Sequence, residues 1–351
     1  MSSRGADYWT FFARDAEKAG SSLYARIIEG VGGDTELIAM AAKSKPGQPY
    51  ANMLLGAVHY LLLRGAEHPL RSFYPNLNPA APAAGNPYPA FRDFCLAHSA
   101  EIEALIGARV TNTNEVGRSA VLHPGFRRVA AEAGEPLNLI EVGPSAGLNM
   151  IWDRYGVRYR KDGALALEIN PQSPLVIDCE LRGAGMIPDG ATPRVGRRIG
   201  LELNPADLTH DGDRDWLRAL MWPDQIARTE RLNRAMALFV SVRPEIRPEF
   251  RIGDALALLP DALRAMPENE PVCVYHTIVT YQFSHEMREA LGDILTVAGL
   301  RRPVWRLALE AEAKDGDWRN WLTLARYHDG IVERRTLAES HPHGSWVEWL
   351  D

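Results

Sequence analysis

The segment Glu141-Val142-Gly143-Pro144-Ser145-Ala146-Gly147 follows the apolar run LNLI and opens the helical pattern Leu148, Ile151, Trp152, so a glycine turn joins a strand to a helix start. Such a turn lets the backbone approach a ligand closely and points helix N–H groups outward. A dinucleotide fingerprint, G-x-G-x-x-G, would need glycines at 143, 145 and 148, whereas the chain has Gly143, Ser145 and Leu148. Glu141 repels a pyrophosphate and suits a ligand that carries an ammonium group or hydroxyls. The five residues Gly143-Pro144-Ser145-Ala146-Gly147 also form G-x-S-x-G, the spacing that presents a serine nucleophile on a sharp turn.

Two further acids stand at later strand ends. Glu202 closes the run RIGLEL ahead of Asn204-Pro205, where a carboxylate is placed to accept hydrogen bonds from both hydroxyls of a ribose. Asp254, in Gly253-Asp254-Ala255 after FRI, stands at a third strand end and equally fits the N-cap of a helix over 255–264. Together the three acids outline a nucleoside pocket. In the next strand segment, VYHTIVTYQF at 274–283, His276 is the candidate general base because its reference pKa lies near neutrality, with Tyr281 beside it. The competing reading of His276 is a core histidine satisfied by a backbone carbonyl. The run TNTNEVGR at 111–118 offers Asn114, Glu115 and Arg118 to the amino and carboxylate ends of an amino-acid-like group, with Arg118 as the bidentate partner. Alternatively that run only caps a helix, with Thr113 or Asn114 at the N-cap.

These residues need elements to hold them. From Asp7 to about Ala108 apolar residues recur at three and four spacings, as in Trp9, Phe12, Ala13, Ala16, and predict an all-helical first third. Prolines at 75, 79, 82, 87 and 89 interrupt it and mark an ordered surface loop over 75–89. From Pro136 short apolar runs at 137–142, 198–203, 250–252, 272–279 and 304–311 alternate with helical patterns, which predicts crossover units and a mostly parallel sheet. Asp329-Gly330 between WLTLARYH and IVERRTLAE predicts an antiparallel hairpin that closes the sheet at its edge. The Gly- and Pro-rich stretch 155–197 reads as an insertion of small strands over the top of the sheet. The expected domains are therefore a helical one over 1–130 and an α/β one over 131–351.

Composition bounds the partners. Lys plus Arg number 39 against 45 for Asp plus Glu, a net charge of −6 that gives no general field for nucleic acid phosphates or an anionic membrane. The three cysteines are far apart and lack C-x-x-C spacing, so neither a disulfide framework nor a metal site is expected and the reducing cytoplasm is the expected compartment. The longest apolar stretch, Leu54 to Leu63, is short and contains His59, and Asp7, Asp15 and Glu17 occupy the start, so neither membrane insertion nor export is expected.

The acidic-x-Gly-x-Ser-x-Gly form of 141–147 resembles motif I of the class I methyltransferases. Over nearly its full length the chain resembles the bacterial family called domain of unknown function 2332, a methyltransferase-like group. The segments that carry the likeness are LLGAVHYLLL with HPLRSFYP at 54–75, TNEVGR at 113–118, LIEVGPSAGLNM at 139–150, RIGLELNPADL with WLRALMWPDQIARTERL at 198–232, and HPHGSWVEWL at 341–350. The resemblance implies a Rossmann-like class I methyltransferase sheet with a C-terminal antiparallel hairpin, preceded by a helical cap. It implies S-adenosylmethionine at Glu141, Gly143, Ser145, Gly147, Glu202, Asp254 and Ala255, with Asp254 toward the adenine amino group. The acceptor is expected to be a small molecule held by Asn114, Glu115, Arg118, His276 and Tyr281. Glu202 stands where relatives commonly show Asp, one methylene further out. Two rivals stay open: a non-catalytic ligand-binding protein of the same fold, and an α/β-hydrolase with Ser145 as nucleophile and His341 or His343 as base. The hydrolase elbow normally follows several strands, whereas everything before residue 136 reads here as helix.

Overall fold

LNLIEV is apolar along almost its whole length because both faces of the strand are covered, and all six residues of β1 (Leu137–Val142) are buried. The structure, a computed structural model, describes residues 6–80, 82–112, 114–314 and 317–351. After β1 come β2 (Gly156–Lys161), β3 (Ala164–Ile169), β4 (Val176–Arg182), β5 (Val195–Glu202), β6 (Glu249–Ile252), β7 (Val272–Thr277), β8 (Val304–Lys314), β9 (Asp317–His328), β10 (Ile331–Ser340) and β11 (Trp346–Trp349). They form one sheet in the order β3-β2-β4-β11-β10-β9-β8-β7-β1-β5-β6. The strands read from apolar runs are all present, and β6, β5, β1, β7 and β8 pair in parallel. Their order is third-second-first-fourth-fifth along the chain, a doubly wound order that reverses between β1 and β7. No strand precedes residue 137 among the described residues.

Helices cover both faces of this part of the sheet. On one, Ile140, Val142, Ile199, Leu201, Val272 and Val274 pack with Leu259, Leu263, Leu291 and Leu295 of the helices Ala255–Arg264 and His285–Gly299. On the other, Phe126 of the helix Ser119–Ala133 stacks on Trp152 with ring centroids 4.4 Å apart and meets Tyr275 edge-on at 5.0 Å.

Two expectations about the rest of the sheet are corrected. The Asp329-Gly330 turn joins β9 and β10 as read, with His328 opposite Ile331, and both turn residues have positive φ (49° and 77°). The hairpin nevertheless does not lie at an edge. β10 also pairs with β11, β11 with β4, and β4 with β2. The strands of 155–197 therefore lie in the plane of the sheet instead of over its top, where they satisfy backbone groups that an edge hairpin would leave open.

Two compact units emerge, one of residues up to 113 with 206–233, the other of 114–205 with 234–351. The expected boundary at 130 thus moves. The helix Ser119–Ala133 belongs with the sheet, because Gly125 lets Leu307 and Leu322 approach within about van der Waals distance of its backbone. The helix Asp211–Ala219 belongs with the helical unit, where Trp216 joins the core and donates from Nε1 to the carbonyl of Val110 at 2.8 Å. That unit holds the helices Ala6–Lys18, Ser22–Val31, Thr35–Ala41, Tyr50–Leu63, Tyr88–Ala97 and Ser99–Ala108. The proline-rich loop ends where the helix Tyr88–Ala97 begins, with Pro89 in its first turn, where a missing N–H costs nothing. Among the described residues no helix is long and apolar enough to cross a membrane.

Arg198 on β5, only 3% exposed, fixes the segment after the glycine turn. It donates from both terminal nitrogens to the Asp153 carboxylate, at 2.7 and 2.9 Å, and to the carbonyl of Met150. Arg198→Met should cost about 3–5 kcal/mol, because it leaves the largely buried Asp153 carboxylate only its 3.4 Å contact with Arg154, and adding Asp153→Leu should recover most of the loss. The midpoint of denaturant unfolding reads both effects.

Candidate functional site

After β1 the chain turns through Gly143 (φ 71°), Ser145 (φ 55°) and Gly147 (φ 80°) into the 3₁₀ segment Leu148–Arg154, instead of a regular helix. A Cβ at Gly143 would lie 2.6 Å from Val279 Cγ2, and one at Gly147 would lie 2.7 Å from Phe250 Cζ, so both positions require glycine. Ser145 is the strained member, and two side chains hold it. Asn114 donates from Nδ2 to the Ser145 hydroxyl and accepts the Ala146 N–H on Oδ1 at 3.2 Å. Glu202 accepts the Ser145 N–H at 2.8 Å on one oxygen and the Asn204 N–H at 3.1 Å on the other. The N–H groups of Ser145 and Ala146, which a phosphate-binding turn aims at its ligand, are thus engaged by the protein's own acceptors.

Beside the turn, Glu141 is 2% exposed and accepts the Tyr275 hydroxyl at 2.8 Å. Burial pushes its carboxyl up to about 8; the Tyr275 hydrogen bond and the nearby Arg118 pull against that rise, while the neighbouring Glu202 charge adds to it. At neutral pH Glu141 therefore carries its proton for most of the time.

The structure brings Asn114, Ser145 and Glu202 together on one turn, with Glu141 adjoining. Other expected site residues make local contacts of their own. Asp254 is the N-cap of the helix Ala255–Arg264, accepting the N–H groups of Leu256 and Ala257 at 2.8 and 3.1 Å on one oxygen, and Ala255 is the first helical residue. Glu115 accepts the Gly117 N–H at 3.0 Å. Arg118 donates to the carbonyls of Pro342 (2.9 Å) and Thr277 (3.1 Å). Thr113 lies outside the described residues.

His276 does not face the turn. Glu141 is in register with Tyr275, so the next residue, His276, projects from the opposite face of the sheet. There it is fully buried, with Nδ1 2.6 Å from Glu310 and Nε2 accepting from Arg306 at 3.0 Å. Burial lowers its pKa, against the opposing pull of Glu310. With both nitrogens occupied, it is a neutral core histidine and not a free base; its partner is a carboxylate where a backbone carbonyl was expected. Tyr281, 61% exposed in the turn Thr280–Gln282, joins neither group.

Tyr275 and Glu310 are the functional neighbours that reading the sequence left unassigned. Glu310 shares the parity of Arg306 along VWRLALEA, the one signal that an acid and a base project from one face of β8. Ser145 has Asn114 as its side-chain partner, an amide that cannot accept its proton, which removes the support for a hydrolytic serine. No group of three or more His, Cys, Asp and Glu side chains able to hold a metal occurs among the described residues.

The fold and the turn define an α/β protein whose doubly wound sheet reverses its strand order between β1 and β7, beside the glycine turn. Residues 6–349 match a family described as an uncharacterized protein conserved in bacteria, domain of unknown function 2332, and the chain belongs to that family. No curated protein and no solved structure matches it.

The Glu141 environment makes stability depend on pH with a definite sign. Its folded pKa, about 8, exceeds the ordinary 4.5, so between these values the folded chain holds more protons than the unfolded one. The group therefore costs up to about 1.4 kcal/mol of stability per pH unit as the pH rises through that window. Glu141→Gln should remove this term, so that the variant gains on the parent by about 2–3 kcal/mol between pH 5.5 and 7.5 in urea unfolding. A pH-independent difference would mean that Glu141 is ionised in the fold.

Proposed function

We propose that the sheet unit binds S-adenosylmethionine at the carboxyl ends of β1 and β5 and serves transfer of its methyl group to a small acceptor molecule, leaving S-adenosylhomocysteine. The observation that carries this reading is the pair of acids around a turn whose N–H groups are already taken: Glu202 repels phosphate and suits a diol, and Glu141, protonated in the free chain, gains a charge that suits a cation. Each Glu202 oxygen accepts one N–H and keeps a lone pair for a ribose hydroxyl. Asp254 caps its helix with one oxygen and leaves the other for an amino group. A positive group beside Glu141 favours its ionised form, so binding at neutral pH releases a proton.

The chemistry supplied by the bound cofactor is an already activated methyl group. The protein's part is to hold, align and exclude water, which the rigid Asn114–Ser145–Glu202 clamp suits. His276 has no role in that chemistry, because it is committed to Glu310 and Arg306 on the other face.

Titration calorimetry of the full chain with S-adenosylmethionine, S-adenosylhomocysteine and NAD tests the reading. Glu141→Ala and Glu202→Ala should each weaken S-adenosylmethionine binding by about 1.5–3 kcal/mol, the loss of a hydrogen-bond partner that is charged in the complex, without unfolding the protein. Preference for NAD, or affinities within about 0.5 kcal/mol of the parent in both variants, would exclude this site.

A further inference from the structure

Three segments that the sheet site does not use, 54–63, 68–76 and 219–225, meet within the helical unit against the helix Ser22–Val31. His59, 1% exposed, has Nδ1 3.0 Å from the carbonyl of Ala219 and Nε2 2.9 Å from Asn76 Nδ2. The carbonyl can only accept, so the proton sits on Nδ1 and Nε2 accepts from the Asn76 amide. Burial lowers His59 to about 4 and keeps it neutral. This chain of contacts turns the Asn76 Oδ1 away from His59, and that oxygen is buried with no hydrogen-bond partner among the described residues.

Tyr74 packs beside His59, ring centroids 5.4 Å apart, and Tyr24 packs edge-on to Tyr74 at 6.3 Å and to Trp222 at 6.1 Å. Tyr24 is 1% exposed and Tyr74 is fully buried; the two hydroxyls interact with one another, but neither reaches a partner in good hydrogen-bond geometry among the described residues. Ser21 donates to the half-buried Asp224 nearby. Burial first, and then each other's company and the Asp224 charge, hold Tyr24 well above the ordinary tyrosine range; burial, Cys95 and Asp224 do the same for Tyr74.

Orphaned hydroxyls forfeit their full solvation, and phenylalanine would fill the same space without that loss. The unsatisfied atoms here are two phenol hydroxyls and an amide oxygen, each able to accept, and what favours a cation over an anion among them is the negative charge of Asp224. We propose that Tyr24, Tyr74, Asn76 and Asp224 form a binding site for the primary ammonium group of a small molecule. Its N–H donors match the two phenol oxygens and Asn76 Oδ1, Asp224 balances its charge, and the rings of Tyr24, Tyr74 and Trp222 supply electron-rich walls. The site rests on the helical unit alone and stands independently of what the sheet binds.

Methylammonium chloride is the probe, added to the full chain and followed by calorimetry and thermal unfolding, with potassium chloride and tetramethylammonium chloride as controls. Methylammonium should bind saturably in the millimolar range, as expected for so small a ligand, and raise Tm beyond either control. Tyr24→Phe, Tyr74→Phe and Asp224→Asn should each weaken it at least tenfold. Without ligand, the two phenylalanine variants should be as stable as the parent or more so, which separates loss of the site from loss of the fold. An equal response to potassium, an equal response to tetramethylammonium, no saturable response, or phenylalanine variants destabilised in the absence of ligand would each overturn the proposal.

Discussion

Glu202 is a half-buried carboxylate at the end of β5, and each of its oxygens accepts one backbone N–H, from Ser145 and from Asn204. The turn after β1 depends on it. Ser145 has a left-handed backbone that costs roughly 1–2 kcal/mol for a residue with a side chain, and a charge-assisted hydrogen bond to that same N–H offsets it. Asn114 grips the next N–H from the other side. Because Glu141 and Gly200 are in parallel register, the acid two residues further along β5 reaches the turn without disturbing the ladder. Were the clamp released, the glycines would lose their close seats against Val279 and Phe250 as well.

The same residue type meets opposite fates on the two faces of the sheet. Glu141 pairs with Tyr275, a neutral donor, and burial keeps it protonated near neutrality. For Glu310, burial is outweighed by His276 and by the N–H groups of Val279 and Thr280, and its pKa falls below the ordinary value. Tyr275 and His276 are consecutive, so the alternation of β7 alone sends one acid's partner to each face. One carboxyl can respond to a ligand's charge; the other is fixed as part of the core.

Much of this was legible in the sequence, for identifiable reasons. Two-sided burial writes β1, β5, β7 and β8 as continuous apolar runs, and the glycines at 143 and 147 announce a turn that only they can make. TNTNEVGR stood out as polar between apolar segments, and Asn114 proved to be half of the clamp. What stayed hidden depends on pairing. Nothing in WVEW or in the alternation of 156–182 says that β11 and β4 extend the sheet beyond β10. A histidine bound to a carboxylate 34 residues on reads like any other histidine until the register of β7 against β1 fixes its face. Asp254 offers one residue for two roles, and its capping bonds occupy one of its two oxygens.

The helical unit is interrupted: its core includes Trp216, which lies beyond five strands of the sheet in the chain. A chain emerging from the ribosome therefore presents β1 to β5 before the first unit can complete itself. The sheet in turn waits for β7, which pairs with β1 across more than 130 residues. Each unit spans a gap filled by the other, so neither can be excised as one contiguous fragment, and vectorial synthesis must hold two unfinished cores open at once.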